Sequence, residues 1–272
     1  GRAATALAVA AALSVAACSN SSKAKPGEVP APAANGAFQV AGTKIYDPTG
    51  KPFLPIGANF NGPDWVWATE TKGSAAVAQD VWKMNTARLD SCLPRGCDVD
   101  DRAHHTVNND PAIVSEFTSR KMVVIVVLNQ VHSGTFPDDA TKAEIKAWWT
   151  QTATQYKDNP YVWFEPAAEI GESSGGGADG VVDKWFDYHA ELIATIRATG
   201  AKNPIVVNGT QWGQELNDSS DKKVPESGSA ILRRGADLVK LDSNVIFDLH
   251  VYDQWGGLAT AKLRAARMTD YI

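Results

Sequence analysis

The stretch MVVIVVLNQ, residues 122–130, decides the fold. Its apolar residues run without a break, where a strand with one wet face would alternate. A run this short and continuous reads as a strand buried on both faces, as in a parallel sheet covered by helices. Its flanks supply those helices. Upstream, Asp110 and Pro111 stand in the cap-then-proline order that opens a helix, and Ile113, Val114 and Phe117 then share one face. Downstream, Thr141 and Glu144 have capping-box spacing ahead of Ile145, Trp148 and Trp149.

The same unit recurs in both directions. LPIGANF and NTARLDSC read as strands, and SAAVAQDVWKM between them reads as a helix with Val77, Val81 and Met84 inward and Ser74 placed to cap. YVWFEPAAE, PIVVNGT and NVIFDLHVY read as three further strands. Val182, Trp185, His189, Leu192 and Ile196 line one helical face that ends near Gly200. A shorter helix is expected over 230–238, and ATAKLRAARM begins another. Ahead of the first strand, two apolar runs flank Asp47-Pro48-Thr49-Gly50, which predicts a hairpin. Strands that alternate with helices in this way imply an α/β fold with a parallel sheet. No glycine-rich phosphate loop follows the first strand, which weighs against an open dinucleotide-binding sheet. Polar residues gather just past the strand C-termini: Arg88, Gln130, His132, Glu169, Gln211 and His250. A (β/α)8 TIM barrel carries its active site on that face. The expectation is such a barrel, incomplete, with six of its eight units in this chain, an N-terminal hairpin and the C-terminal part missing.

Composition bounds the partners. The chain has 272 residues, 44% hydrophobic and 21% charged, as in one large domain or two small ones. A net charge of −5 without a basic run argues against nucleic acid. Nine tryptophans suit either a core or flat apolar ligands such as sugar rings. Residues 1–18 place a basic residue before an apolar stretch that ends in small residues, the layout of an export signal, and the stretch is too short to span a bilayer. Val15-Ala16-Ala17-Cys18 resembles the lipobox of bacterial lipoproteins, whose cysteine is lipidated; a plain signal peptide with a chance cysteine is the alternative. Residues 19–36 are a Ser-, Pro- and Ala-rich linker that cannot bury a core, which leaves 37–272 as the folded domain. The expected location is therefore the bacterial cell surface, with the lipid as the only membrane contact. Cys92 and Cys97 are expected to form a local disulfide in an oxidising compartment, with two free thiols as the alternative. No second cysteine pair points to a metal, and no cofactor motif is present.

The segment WFEPAAEIGE, residues 163–172, holds three glutamates. Glu169 closes a buried strand, where burial raises a carboxyl pKa and suits a general acid, although on its own a glutamate that begins a loop reads more readily as solvated. Glu165 shares its side of the strand but lies deeper, as a buried ion-pair partner for which Arg88 is a candidate. Glu172, in a glycine-rich polar loop, reads as solvated. His189 lies on an apolar helix face and reads as a core or rim histidine. His104 and His105, in a polar loop, are open to either solvent or substrate.

These segments, in this order, resemble glycoside hydrolase family 5, the barrel enzymes that include endo-β-1,4-glucanases and β-mannanases. The opening hairpin, NTARL with Arg88, Gln130-Val131-His132, YKDNPYVWFEPAAE, and His250-x-Tyr252 each fall on a family segment. The resemblance covers the chain from Ala37 onward and implies a retaining glycosidase acting on a β-1,4-linked mannan or glucan, as a monomer. It makes Glu169 the general acid/base and Arg88 the residue that orients the nucleophile. It places His250, Tyr252 and His132 at the cleaved-sugar subsite. Trp65, Trp67, Trp212 and Trp255 are candidates for stacking on sugar, with loop packing as the alternative for each. The family nucleophile comes from a seventh strand, which is expected to lie beyond this chain. Two positions depart from the family pattern. Ala168 stands where an asparagine precedes the acid/base and binds the sugar 2-hydroxyl, and Gln130 stands where an acid is usual. Both leave open a second reading, a non-catalytic surface protein that binds glycan.

Overall fold

A computed structural model describes residues 31–61, 73–91, 93, 111–128, 135–171, 179–215, 229–252, 255, 260–269 and 271. Cys18, Trp65, Trp67, Cys92, Cys97, His104, His105, Gln130, His132 and Glu172 lie outside the described residues.

Three short strands open the domain: β1 (Gln39–Ala41), β2 (Lys44–Tyr46) and β3 (Pro52–Phe53), paired antiparallel in that order. The expected turn joins β2 to β3. Asp47 Oδ1 accepts from Thr49 N at 2.8 Å and Lys51 N at 3.0 Å, an Asx-type closure.

Six strands then form one parallel sheet in chain order: β4 (Gly57–Asn61), β5 (Thr86–Ser91), β6 (Val123–Leu128), β7 (Val162–Glu165), β8 (Ile205–Asn208) and β9 (Val245–Asp248). The crossovers carry α1 (Ser74–Asp80), α2 (Pro111–Thr118), α3 (Asp139–Tyr156), α4 (Asp179–Ala198) and α5 (Ala230–Leu241), and α6 (Ala261–Thr269) follows β9. This is an incomplete α/β barrel: β4 pairs only with β5 and β9 only with β8 among the described residues.

Residues 122–128 are buried on both faces apart from a half-buried Ile125, which is why they carry no alternation. Val124, Val126 and Leu128 pack against the helices with Phe117, Ile145, Trp149 and Trp185. Val123 and Ile125 face the other way, into a second cluster with Phe38, Phe53, Trp163 and Val206. The opening strands thus plug the N-terminal end of the sheet: the Phe38 ring meets Phe53 edge-on at 5.0 Å and Trp163 at 5.2 Å. Asn244 pins the plug, accepting from Val40 N at 3.0 Å and donating to Phe38 O at 3.2 Å. The opposite end is left for the site.

Two helix readings change. In α1 the alanines Ala75 and Ala78 face the core, while Val77 and Val81, expected inward, are 51% and 68% exposed; of the expected face Met84 alone packs on the core, and Ser74 is the first helical residue and not a cap. The α3 helix starts ahead of the expected capping box, because Asp138 caps it, accepting from Thr141 N at 2.7 Å. The α2 and α4 faces stand as read, with Ile113, Val114, Phe117, Val182, Trp185, His189, Leu192 and Ile196 all buried.

Candidate active site

The strand period of two decides what reaches the interior. Register aligns Arg88 with Ile125 and Trp163, and one layer higher aligns Asp90 with Val127 and Glu165. Asn208 aligns with Asp248. The upper layers of a mainly apolar interior are therefore polar, and they lead to the strand C-termini where Glu169 and His250 lie.

Glu165 is fully buried, and Arg88 clamps it with two parallel bonds: Nε to Oε2 at 2.7 Å and Nη2 to Oε1 at 2.6 Å. Arg88 Nη1 reaches Asp90 Oδ1 at 3.0 Å. Burial works against the charge on Arg88, but the Glu165 and Asp90 carboxylates outweigh it and keep the guanidinium protonated. Burial pushes the Glu165 carboxyl up, against the pull of Arg88. The expected ion pair is present, and it occupies the arginine.

Glu169 lies beyond the end of β7 in a left-handed conformation, φ 54°. Its backbone N donates to Asn208 Oδ1 at 3.1 Å, and its Oε1 lies 2.7 Å from His250 Nδ1. Tyr252 hydrogen-bonds the same carboxylate. Here the sequence expectation is corrected. Burial does push the Glu169 carboxyl up, but the bond and charge of His250 outweigh it, so the pKa lies below the usual carboxylate range. The proton sits on the partner instead. Burial lowers the His250 pKa, Asp248 and Glu169 raise it more, and it reaches about 9. His250 Nε2 stands 3.2 Å from Asp248 Oδ2, which also accepts from Asn208 Nδ2 at 3.1 Å.

Residues 209–215, which follow β8, close the site from behind. Gln211, Trp212 and Glu215 are all left-handed, and Gly213 presents its backbone to His250, accepting from His250 N at 3.0 Å. A Cβ at Gly213 would stand 2.7 Å from the His250 ring, so only glycine fits there. Glu215 holds this loop from within. It is fully buried and accepts from Thr210 N at 2.7 Å, from Ile231 N at 3.1 Å and from the Ser229 hydroxyl, tying the loop to the start of α5. Burial pushes its carboxyl up.

The aromatic candidates separate. Tyr252 is 52% exposed beside Glu169 and meets the His250 ring edge-on at 5.6 Å. Trp212 is half-buried in the loop. Trp255 is fully buried, packs with Leu249, Leu263 and Tyr271, and donates Nε1 to Gln214 O at 2.9 Å. It offers no face to a sugar, and the stacking expectation for it is withdrawn. Asp248, Asn208, Asp90 and Glu215 were missed. The first is two residues before His250 and so on its face; period alone marks it. Glu215 has no such signal.

Glu165, Asp248 and His250 also offer ligand atoms within 4.8 Å of one another. They do not fit a metal ion, because Arg88 already takes both Glu165 oxygens and both His250 nitrogens face carboxylates. The arrangement suits proton transfer: an acid–imidazole pair above a fixed arginine, and beside it the edges of β4 and β9, unpaired among the described residues, bound a space of about 430 Å³ lined by Arg88, Asp248, His250 and Tyr252 among others.

The family model Cellulase (glycosyl hydrolase family 5) matches residues 46–271. A mannan endo-1,4-β-mannosidase of Salipaludibacillus agaradhaerens is 26% identical over 239 residues, 86% of this chain and 68% of that protein. An endoglucanase of Clostridium saccharobutylicum is 23% identical over 189 residues, 68% of this chain and 40% of that protein. Among solved structures, a β-mannanase from Thermomonospora fusca matches with TM-score 0.62 at 15% identity, covering 87% of this chain and 71% of that one. The catalytic domain of an endoglucanase from Xanthomonas campestris matches with TM-score 0.60 at 16% identity, covering 86% and 76%.

Proposed function

Because the chain belongs to glycosyl hydrolase family 5 and is a glycosidase of β-linked polysaccharides, we propose that it is a retaining endo-β-1,4-glycanase in which Glu169 is the general acid/base. The observation that carries this reading is the 2.7 Å contact between Glu169 and His250 at the C-terminal end of the sheet. Protonating the glycosidic oxygen lets the sugar leave as an oxocarbenium-like species. The proton shared with His250 moves through the Glu169 carboxyl to that oxygen, and Glu169 recovers it from the water that attacks in the second step. Tyr252, exposed and bonded to the same carboxylate, lines the subsite.

A retaining mechanism needs a second carboxylate about 5–5.5 Å from the acid. Glu165 does not serve, since it is sealed and clamped by Arg88. Asp248 does not serve either, since its Oδ2 is engaged by Asn208 and His250. By the family resemblance the nucleophile belongs to a seventh barrel strand. Mannan is favoured over glucan by the QWGQ and HVYDQWG segments and by the name of the mannosidase relative. Ala168, 1% exposed, supplies no amide for a sugar 2-hydroxyl, which points to a low turnover number.

The test is hydrolysis of mannan and carboxymethylcellulose, with the product anomer followed by NMR from the first turnover. Protein that carries the seventh strand is expected to release β-configured ends, and its Glu169→Gln variant to lose at least ~10²-fold in kcat. Initial α product would overturn retention. Oligosaccharide binding without any cleavage would favour the glycan-binding alternative, for which Ala168 is the motive.

A further inference from the structure

The proton that Glu169 needs is held by more than Glu169. Its carboxylate meets His250 Nδ1, and His250 Nε2 meets Asp248. Asp248 accepts from Asn208, and Asn208 Oδ1 accepts from the Glu169 backbone N. The circuit returns to the residue where it began and joins the C-terminal ends of β7, β8 and β9. Where Ala168 offers no amide, an amide from the next strand reaches Glu169. Asn208 is 1% exposed with both ends of its amide engaged, so it is not a sugar contact.

Both ring nitrogens of His250 face a carboxylate oxygen. A neutral imidazole has one N–H, so its bare nitrogen would turn a lone pair toward an anion. The geometry is satisfied when the His250–Glu169 pair holds one proton more than a neutral imidazole beside two carboxylates, whichever of the two carries it. We propose that Asp248, anchored by Asn208, is a positioning residue that keeps a proton on His250 and so sets the pH above which Glu169 can no longer act as an acid. This rests on the reading of Glu169 as the acid/base.

The neighbouring charges are consistent with that role. From β7 comes Glu165, already neutralised by Arg88 of β5, whose other side meets Asp90. From the segment after β9, Tyr252 bonds Glu169. Among the described residues of the β8–α5 loop, the Gly213 backbone meets the ring, and the Glu215 carboxylate is turned to Ser229 and the start of α5. The raised pKa of His250 agrees, with Asp248 the leading cause after burial's opposing effect.

The experiment is the pH profile of kcat/KM on mannan. In Asp248→Asn the alkaline limb is expected to move to lower pH by about one unit, because an anion that favours the protonated pair is gone. Asp248→Glu keeps the charge and is expected to hold the limb nearer its original place. Asn208→Ala, the fallback if Asp248→Asn does not fold, is expected to lower kcat with little change in KM and to shift the limb the same way. A uniform fall in rate with an unmoved limb would make Asp248 merely structural and overturn the proposal. The His250 imidazole is also titrated by NMR in a Glu169→Gln background, with and without Asp248→Asn. A midpoint that does not fall overturns the proposal even in a protein that hydrolyses nothing. A falling midpoint with no hydrolysis in wild type overturns the acid/base reading alone.

Discussion

A single side chain, Glu165, shows how much of the site a sequence can reveal. Four residues before Glu169 on one side of a strand, it reads as a deep partner for Arg88, and the two-point clamp at 2.6 and 2.7 Å bears this out. The pair is a structural charge as much as a functional one. Removing one partner of a buried pair strands the other, at a cost of about 3 kcal/mol or more. Glu165→Gln is expected to lose that much stability in urea unfolding at neutral pH; a variant as stable as wild type would show that Asp90 alone satisfies Arg88. Glu169 was legible as an ionisable residue at a strand end, but its proton affinity was not. Burial and a neighbouring imidazole push in opposite directions, and the neighbour comes from 81 residues along the chain. Spacing cannot decide between two such effects of unlike sign. Asn208 and Asp248 were in reach of the period-two rule, yet an amide and an acid at strand ends look like ordinary solvated residues until the register joins them.

Among the elements, α4 was the most legible and α1 the least. The α4 helix runs 20 residues with bulky apolar side chains at helical spacing, and all those read as inward are buried. In the seven-residue α1, alanines make the close contact and valines turn outward, a choice that helical spacing alone does not make. His189 on α4 has a consequence of its own. It is fully buried, its Nδ1 lies 2.9 Å from Trp185 O, and its Nε2 has no hydrogen-bond partner among the described residues. Burial lowers its pKa from 6.5 to about 4. The unfolded chain then binds a proton that the folded chain refuses, so stability falls as pH drops through 6.5 toward 4. Between pH 7 and pH 5 wild type is expected to lose ~2 kcal/mol more than His189→Leu, read from urea midpoints. Equal losses would mean that the ring is hydrated or free to protonate in the folded state.

For the whole molecule, the alternation of strands and helices was sufficient to specify an α/β fold with a parallel sheet, and the polar residues at the strand C-termini favoured a barrel over an open sheet. What periodicity could not supply was which loop folds back on which. Glu215, buried beneath the β8–α5 loop, carries no marker in QWGQELND. The polar circuit around His250 bears on how the molecule assembles. Its links span 81, 40 and 39 residues, and the Arg88 clamp beneath it spans 77. Loops of that length are slow to close, because their entropy must be lost before any contact compensates. Helices such as α3 and α4 need only local contacts. On refolding from urea, helical circular dichroism is expected to return before hydrolytic activity, with a lag between them. Simultaneous recovery would mean that β7, β8 and β9 find their register in the same step that forms the helices. On the proposed reading Glu169 takes its proton from His250, two residues past β9, so there is no working acid until β9 has docked and catalytic competence comes late, as a property of topology more than of any one residue.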